Sequence, residues 1–480
     1  MAVELSLMAR LLAYEQRCSQ PISSHRLVAV RLDAQVLSVL AMAGEDTTIH
    51  MAACGELGAK PSLRSVPDPR VRDQQYQLFE WLGKRFDNYF RRCRAAGTYP
   101  QIWVSSSAAA SHLDTLADRL RFNKNNDEVR RFGELLTYCT ERFPIAGQQT
   151  LQTATSALNL HWITGQDQSE DEHLLTLLTW LDPPNDQNLL AAVANAERVP
   201  MGVKTDPDYD RDVLLPLVIS YNESRRAGSS QALLDAKAQL IHNALEPVVI
   251  PIFKATQRAI AMLADIARPP LPGLRDLEHR EAEEFAGFME ARDRGYHLPL
   301  RDSAKLAAFR LTAREDAIQN TEATIRLGDR MARAAGRLNG FVVRGEVLDR
   351  GRSRLAPRRF RYEFSMSTVQ RVLRIRLRDE LQWADDPRLR VIVTDINRSG
   401  RRTSIRCEIL NGQRSIGLPE IGTVLEMIPS TPDWSRLIRE RGNLKAKLGV
   451  TPWTHAQGEI PVLAARKAPD DPLAAVEALR

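Results

Sequence analysis

The sequence predicts an α+β multidomain protein. Its body is mainly helical with a mixed α/β N-terminal part, and a small antiparallel β-barrel stands on long stalk helices at the C-terminal side. Two observations carry this prediction. Between residues 358 and 429, apolar and polar residues alternate at the period of a β-strand. Through most of residues 121–338, apolar residues recur every three or four positions instead, which is the period of an α-helix.

The length of 480 residues is too great for one ordinary hydrophobic core and indicates two to four domains. With 43% hydrophobic and 26% charged residues, the composition is that of a globular protein. The predicted parts are residues 1–120 (mixed α/β domain), 121–268 (helical domain), 274–340 (a charged helix and a long stalk helix), 341–429 (barrel), 430–456 (return stalk helix) and 457–480 (flexible tail).

Residues 1–120 contain both strand and helix patterns. Residues 27–32 and 101–104 are short apolar runs typical of strands, whereas residues 35–43 are compatible with a helix. Residues 71–95 carry aromatic residues at three- and four-residue spacing and predict an amphipathic helix. The first 17 residues predict an amphipathic helix rather than a signal peptide.

The middle of the chain predicts helices separated by proline-rich breaks. A helical pattern over residues 232–266 is interrupted by Pro247 and Pro251, and residues 268–273 (RPPLPG) are the best candidate for a linker. Beyond it, residues 274–292 predict a charged helix. Residues 301–338 predict a second helix with a thin apolar seam, which indicates a strut that packs against one partner helix.

The barrel prediction is based on alternation and on turn signals. Its clearest piece is Leu373-Arg374-Ile375-Arg376-Leu377-Arg378, a predicted strand with three apolar side chains inward and three arginines outward. Similar alternation follows in residues 389–393 and 405–409. Ser399-Gly400 and Asn411-Gly412 are hairpin-turn signals between such runs.

The net charge of +6 is unevenly distributed along the chain. Residues 321–480 hold 30 Lys and Arg against 19 Asp and Glu, a balance of +11, whereas residues 1–320 have a balance of −5. A basic C-terminal third on an acidic body is expected where one region meets a polyanion. The alternative is an arginine-rich surface that is only solvated.

Arginine is the residue best suited to phosphate, because its guanidinium group donates in a planar fork and keeps its charge at cellular pH. We therefore predict a binding face for the nucleic-acid backbone on the barrel. Its candidate residues are Arg350, Arg352, Arg354, Arg358, Arg359, Arg361, Arg371, Arg374, Arg376, Arg378, Arg398, Arg401 and Arg402.

Known catalytic motifs are weak or missing in the sequence. A phosphate-binding loop would need the pattern GxxxxGK[ST], and Gly83-Lys84 lacks the preceding glycine. Pro207-Asp208 and Asp235-Ala236-Lys237 match the letters of a metal-dependent nuclease, but the second group lies in a helical pattern. His279 and Glu283 have the spacing of two metal ligands on a helix, without a third ligand. We therefore predict no cofactor and no metal site, and an enzyme is the less favoured interpretation.

The order of long helix, basic barrel and return helix resembles the stalk-and-barrel module of the superfamily 1B helicases. The matching segments are residues 301–338, 341–429 and 434–448. Within the barrel, the runs 391–396 and 403–409 are similar to the family's paired strands, and the run 421–425 resembles the segment that leads back to the stalk. The resemblance implies a barrel that touches the nucleic-acid backbone. Since the motor domains are missing from this sequence, it also implies a helicase motor encoded separately.

The favoured hypothesis is a cytoplasmic, non-enzymatic accessory protein that binds DNA or RNA without sequence specificity, with a helicase or another protein as a possible partner. The cytoplasmic prediction is based on five scattered cysteines without a CxxC pair and on the lack of an 18-residue apolar run. Two alternatives stay open: a scaffold that docks a partner protein through its helical body, and an unrecognised metal-dependent nuclease or hydrolase in residues 1–300.

Overall fold

The computed structural model describes residues 3–184, 188–295, 304–356, 359–412 and 417–431. The predicted return helix (434–448), the predicted tail (457–480) and Arg358 lie outside these residues. Contacts divide the chain into a large unit, residues 1–298 and 316–431, and a small unit, residues 299–315 and 432–480. The described helices and strands belong to the large unit, except residues 304–315, which form the first part of one helix.

Helices and strands are both abundant, which confirms the mixed α+β fold class. The helices are α1 (Val3–Gln16), α2 (Arg72–Ala95), α3 (Ser107–Leu120), α4 (Asp127–Arg142), α5 (Ala154–Asn159), α6 (Leu174–Leu181), α7 (Leu189–Glu197), α8 (Pro207–Tyr209), α9 (Leu215–Arg226), α10 (Gln231–Ala264), α11 (Leu274–Asp293), α12 (Ala304–Gly328) and α13 (Arg330–Asn339). The strands are β1 (Gln20–Pro21), β2 (Gln35–Leu40), β3 (Met51–Glu56), β4 (Ser62–Ser65), β5 (Ile102–Val104), β6 (Leu151–Thr153), β7 (Trp162–Ile163), β8 (Val343–Ala356), β9 (Arg359–Thr368), β10 (Glu380–Trp383), β11 (Arg390–Ser399), β12 (Arg402–Asn411) and β13 (Val424–Pro429).

The body is built on a five-stranded sheet with the strand order β4-β3-β2-β5-β6. Strands β2, β5 and β6 are parallel, whereas β3 and β4 are antiparallel to their neighbours. The predictions of a strand at residues 101–104 and of the helix α2 are confirmed. Residues 27–32 do not form a strand, and residues 35–43 contain β2 rather than a helix.

The helix prediction for residues 35–43 was wrong because β2 is covered on both faces. Leu37 and Val39 point into a core shared with α2, α3 and α4. Val36 and Leu40 point into a second core shared with α5, α6 and α10. A strand buried on both faces has apolar residues in succession, so its sequence does not alternate.

Helix α10 runs without interruption through Pro247 and Pro251, contrary to the predicted break. By length and composition it is the one described helix apolar enough to cross a membrane. In the fold, however, its residues Ile241, Leu245 and Phe253 are fully buried in the second core. These contacts explain its apolar character.

The proline-rich segment 268–273 packs on the N-terminal part of the chain. The amide of Arg26 donates to the carbonyl of Pro269, and the amide of Leu271 donates to the carbonyl of Arg26. Leu271 is buried. Helix α11 follows, as predicted, and is fixed to α4 by a buried ion pair in which both oxygens of Glu281 accept from the guanidinium of Arg142 at 2.8 Å.

The predicted long helix over residues 301–338 is two helices, α12 and α13, that meet at Asp329. Asp329 has extended backbone and caps α13, because its Oδ1 accepts from the amides of Met331 and Ala332. The predicted apolar seam is not the buried face. Within it, Ile318 and Met331 are exposed, whereas Ile325 packs on the small cluster around Leu271.

Strands β8 to β13 are antiparallel and close on themselves in the order β10-β11-β12-β9-β8-β13, with β13 paired to β10. Inward side chains such as Phe364, Val391 and Cys407 fill the barrel. The predicted hairpin at Ser399-Gly400 is confirmed. It joins β11 to β12, and Gly400 has the positive φ that such a tight turn requires.

The predicted strand Leu373–Arg378 is wrong, because residues 369–379 form no ladder. They connect β9 to β10, two strands that lie three positions apart around the six-stranded ring, so the connection crosses one end of the barrel. Leu373 and Ile375 pack against the barrel core as expected for inward side chains, but Leu377 is exposed. The alternation therefore marks a segment that closes the barrel end rather than a strand in its wall.

Candidate functional site

The predicted arginines fall into two groups at opposite ends of the barrel. Strand β9 defines these ends, because its last residue, Thr368, pairs with Thr403 and its residue Phe360 pairs with Arg354. We call the end near Thr368 the crossover end, since residues 369–379 cross the barrel there. We call the end near Phe360 the far end.

Seven of the predicted arginines belong to the crossover end. Four are on the crossing segment. Three are on the β11–β12 hairpin, whose turn lies next to Thr403. All seven are exposed: Arg371, Arg374, Arg376, Arg378, Arg398, Arg401 and Arg402.

The remaining described arginines of the prediction lie on β8 and β9, from the middle of the barrel wall to the far end: Arg350, Arg352, Arg354, Arg359 and Arg361. Register pairs place Arg350 opposite Phe364 and Arg352 opposite Tyr362. The structure thus does not bring all candidates into one face.

The outer wall of the barrel near the far end carries acidic residues among its arginines. The guanidinium of Arg361 lies 3.1 Å from a carboxylate oxygen of Glu408 and 3.8 Å from one of Glu363. The expected continuous basic face is therefore interrupted, because neighbouring outward positions on β9 and β12 alternate between basic and acidic residues.

Ion pairing distinguishes the arginines of the crossover end from Arg361. Within the ranges that the structure describes, none of the seven crossover-end guanidinium groups forms an ion pair. The one acidic side chain of the crossing segment, Asp379, accepts the backbone amide of Arg376 at 2.7 Å and so shapes the turn. The crossover end therefore has an uncompensated positive charge.

The backbone of the crossing segment is fixed at several points. The amide of Arg374 donates to the carbonyl of Gly340 at 3.0 Å, and the amide of Arg378 donates to that of Val393 at 2.8 Å. Gly340 has a φ of +82°, and a Cβ there would lie 2.8 Å from the carbonyl oxygen of Val372, so only glycine allows this approach.

Two further features hold arginines of the segment in place. Arg378 has a φ of +73°, a conformation uncommon for a residue with a side chain. The guanidinium of Arg374 stacks over the ring of Phe341 at 5.3 Å from its centre, and Arg326 of α12 lies over the same ring at 5.2 Å. The Phe341 contact was missed from sequence because nothing in the spacing of these three residues indicates it.

The barrel is also fixed to the helix that carries it. Glu426 of β13 forms ion pairs with Arg333 and Arg337 of α13. The side-chain amide of Gln370 donates to the carbonyls of Arg337 and Val342 at 2.9 Å. The crossing segment therefore has a defined position relative to α13.

The residues that match a metal-dependent nuclease motif do not form one site in the structure. Asp208 of the short helix α8 forms an exposed ion pair with Arg211, and Asp235 accepts from Gln231 on the surface of α10. Neither lies on a strand, whereas such a metal site needs acids on neighbouring strands. Among the described residues, no group of three His, Cys, Asp or Glu side chains could hold a metal ion. His279 and Glu283 form an exposed pair on α11.

No family model, curated protein or solved structure matches the chain. The resemblance to the stalk-and-barrel module therefore stays a prediction, drawn from the order of its parts. Within the described part of that module, the structure departs from the prediction at the break between α12 and α13, at the exposed apolar seam and at residues 373–378, which form no strand.

Proposed function

We propose that this protein binds nucleic acid through the sugar-phosphate backbone at the crossover end of its barrel. The observation that carries the proposal is the group of seven exposed arginines on the crossing segment and the β11–β12 hairpin, which have no ion pair within the described residues. Arginines with a purely structural role in this protein, such as Arg142, are paired with carboxylates. Unpaired guanidinium groups on a fixed backbone suit phosphate instead.

The chemistry of the crossover end supports binding without sequence specificity. Among the described barrel residues, the exposed large apolar side chains are aliphatic, for example Val369, Val372 and Leu377. Base stacking on proteins uses aromatic side chains, and sequence reading uses side chains that enter a groove. Contacts with phosphate alone give affinity that falls with salt and carry no sequence information.

The proposal extends to the setting in which the protein acts. Its resemblance to the superfamily 1B module supports an accessory role beside a separately encoded helicase motor, without a cofactor. All five cysteines are free thiols, and four of them are buried, which supports a reducing cytoplasmic environment.

A second candidate function is docking of a partner protein through the body. Helix α1 favours it, because its side chains Leu7, Met8, Leu11 and Leu12 are exposed. Such apolar surface is typical of protein–protein contacts. Partner binding through α1 would persist at high salt and would not depend on the barrel arginines.

Binding of fluorescently labelled single- and double-stranded DNA and RNA across a salt series tests the first function. We expect binding at low salt to all four classes of ligand, and a linear fall of the logarithm of the affinity with the logarithm of the salt concentration. If none of the four ligand classes binds at low salt, the proposal is overturned. A salt-independent affinity would also contradict it, since phosphate contacts release counterions.

A further inference from the structure

A second charged site lies in the body, away from the barrel. Helices α2, α4 and α11 surround a cleft of about 720 Å³, a volume within the range of small-molecule sites. Gly83 of α2 lies against Phe132 of α4, where an added Cβ would come within 3.0 Å of the phenylalanine Cβ. This close approach forms the floor, and charged side chains of the three helices form the walls.

Cationic side chains outnumber anionic ones in the walls. Six cations line the cleft: Lys84, Arg91, Arg94, Arg130, Arg131 and Arg292. Four carboxylates face them: Asp87, Glu128, Glu134 and Asp293. The cleft therefore has a net charge of +2.

The excess charge lies on α2, whose lining residues include three cations and one carboxylate. Asp87 is shared by two guanidinium groups, since it accepts from Arg91 at 2.7 Å and from Arg292 at 2.9 Å. Lys84 is exposed and forms no ion pair within the described chain. Lys84, Asn88 and Arg91 are four and three residues apart, so they share one face of α2 and present a row of donors to the cleft.

The existing ion pairs do not prevent an anion from binding. Arg91 and Arg131 are more than half exposed, and exposed pairs of this kind contribute only about 0–1 kcal/mol to stability. Arginine also makes bidentate hydrogen bonds with phosphate. A phosphate group can therefore add to, or replace, the carboxylates as partner of these arginines.

We infer that this cleft binds the phosphate groups of a small diphosphate ligand. The shape and polarity of the walls suit a polar ligand of that size, and two or more negative charges match the net charge of the cleft. The site is separate from the crossover end, so it does not depend on the function proposed there.

Isothermal titration calorimetry with inorganic pyrophosphate and with ADP tests the inference. The full chain is used with Arg374→Gln and Arg376→Gln already in place to reduce the contribution of the barrel, and the comparison of two lysine variants assigns the remaining signal. Lys84→Glu reverses a charge in the cleft. Lys124→Glu is the matched control, because Lys124 is exposed on the loop between α3 and α4 and does not line the cleft.

We expect both probes to bind the parent chain and Lys84→Glu to weaken them at least about tenfold, while Lys124→Glu changes affinity less than about twofold. Tighter binding of ADP than of pyrophosphate would assign the ligand as a nucleotide; equal binding would assign recognition to the phosphates alone. No heat at millimolar concentration of either probe would overturn the inference, as would equal effects of the two lysine variants.

Discussion

The carboxylate of Asp329 accepts a hydrogen bond from the backbone amide of Ser24 at 2.6 Å, across 305 positions of sequence. The same oxygen accepts from the amide of His25 at 3.1 Å, while the other oxygen caps α13. One nearly fully buried side chain thus joins the N-terminal part of the body to the helix that carries the barrel. It also explains why the helix breaks there.

We predict that Asp329→Ala lowers the free energy of unfolding by about 2–4 kcal/mol, because it removes both a helix cap and charge-assisted hydrogen bonds. Urea denaturation measures this change. Asp114→Ala is the control, since Asp114 is exposed on α3, and it should change stability by less than about 0.5 kcal/mol. Equal effects of the two substitutions would show that the Ser24 contact contributes nothing.

The carboxylate of Asp329 also predicts how the stability of the protein changes at low pH. Burial alone would raise the pKa of Asp329, but the amides of Ser24, Ala332 and Met331 outweigh it and hold that pKa below the ordinary value of 3.8. Its contribution to stability is therefore present above pH 4 and is lost as the pH falls through the lowered pKa. In acid titrations followed by circular dichroism, Asp329→Ala should lose less stability below pH 4 than the wild type.

Alanine substitutions at two helical glycines should change the free energy of unfolding in opposite directions. A Cβ at Gly133 of α4 would clash with the backbone nitrogen of Arg121, whereas a Cβ at Gly287 of α11 would meet nothing within 4 Å. Gly133→Ala is expected to lower the free energy of unfolding by about 1–3 kcal/mol. Gly287→Ala should raise it by about 0.5–1 kcal/mol. Thermal or urea unfolding of both variants checks this, and a stable Gly133→Ala would contradict the close contact between α3 and α4.

Buried histidines predict a loss of stability in mild acid. Burial lowers the pKa of His50 from 6.5 to about 4, and His161 is lowered to about 4 for the same reason. Between pH 6.5 and 4 the unfolded chain binds these protons and the folded chain does not, so stability falls as the pH falls through that window.

Replacing one of these histidines should reduce the pH dependence. We expect His50→Gln to lower the slope of unfolding free energy against pH by up to about 1.4 kcal/mol per pH unit between pH 4 and 6.5. His279→Gln is the control, because His279 is exposed on α11. An unchanged slope in His50→Gln would show that His50 titrates in the folded protein as it does in water.

The two ends of the barrel should differ in their effect on nucleic-acid binding. Replacing Arg398, Arg401 and Arg402 of the crossover end by glutamine should weaken binding to labelled DNA roughly tenfold or more at moderate salt. Arg361→Gln at the far end should have little effect on binding, because Glu363 and Glu408 already neutralise its charge. Equal losses would mean that the whole barrel wall binds.

Much of the fold was predictable where one physical pattern dominates. The β11–β12 hairpin follows from apolar alternation and the Ser399-Gly400 turn, and α2 follows from its aromatic stripe. Strand β2 was missed because neighbours on both faces remove alternation. The break at Asp329 was missed because aspartate is compatible with a helix, and only the contact with Ser24 shows that it is a cap.

The candidate site was predictable in its residue type but not in its geometry. Apolar alternation predicted the barrel, and arginine content predicted its candidate residues. The assignment of those arginines to two ends depends on strand register and on the path of residues 369–379. Alternation in Leu373–Arg378 predicted the inward side chains Leu373 and Ile375 correctly. It could not show that the segment crosses the barrel end, because that path is set by the pairing of other strands.

The most direct test of the central claim compares two double charge reversals. Arg374→Glu with Arg376→Glu changes the crossover end, and Arg225→Glu with Arg226→Glu makes the same charge change on exposed positions of α9. Affinity for labelled DNA is measured across a salt series, with thermal unfolding as a check on folding. We predict that the barrel variant loses binding at moderate salt and that its salt slope falls by about 2, while the α9 variant binds as the wild type does. Equal binding by the two variants would contradict the proposal that the crossover end is the nucleic-acid site.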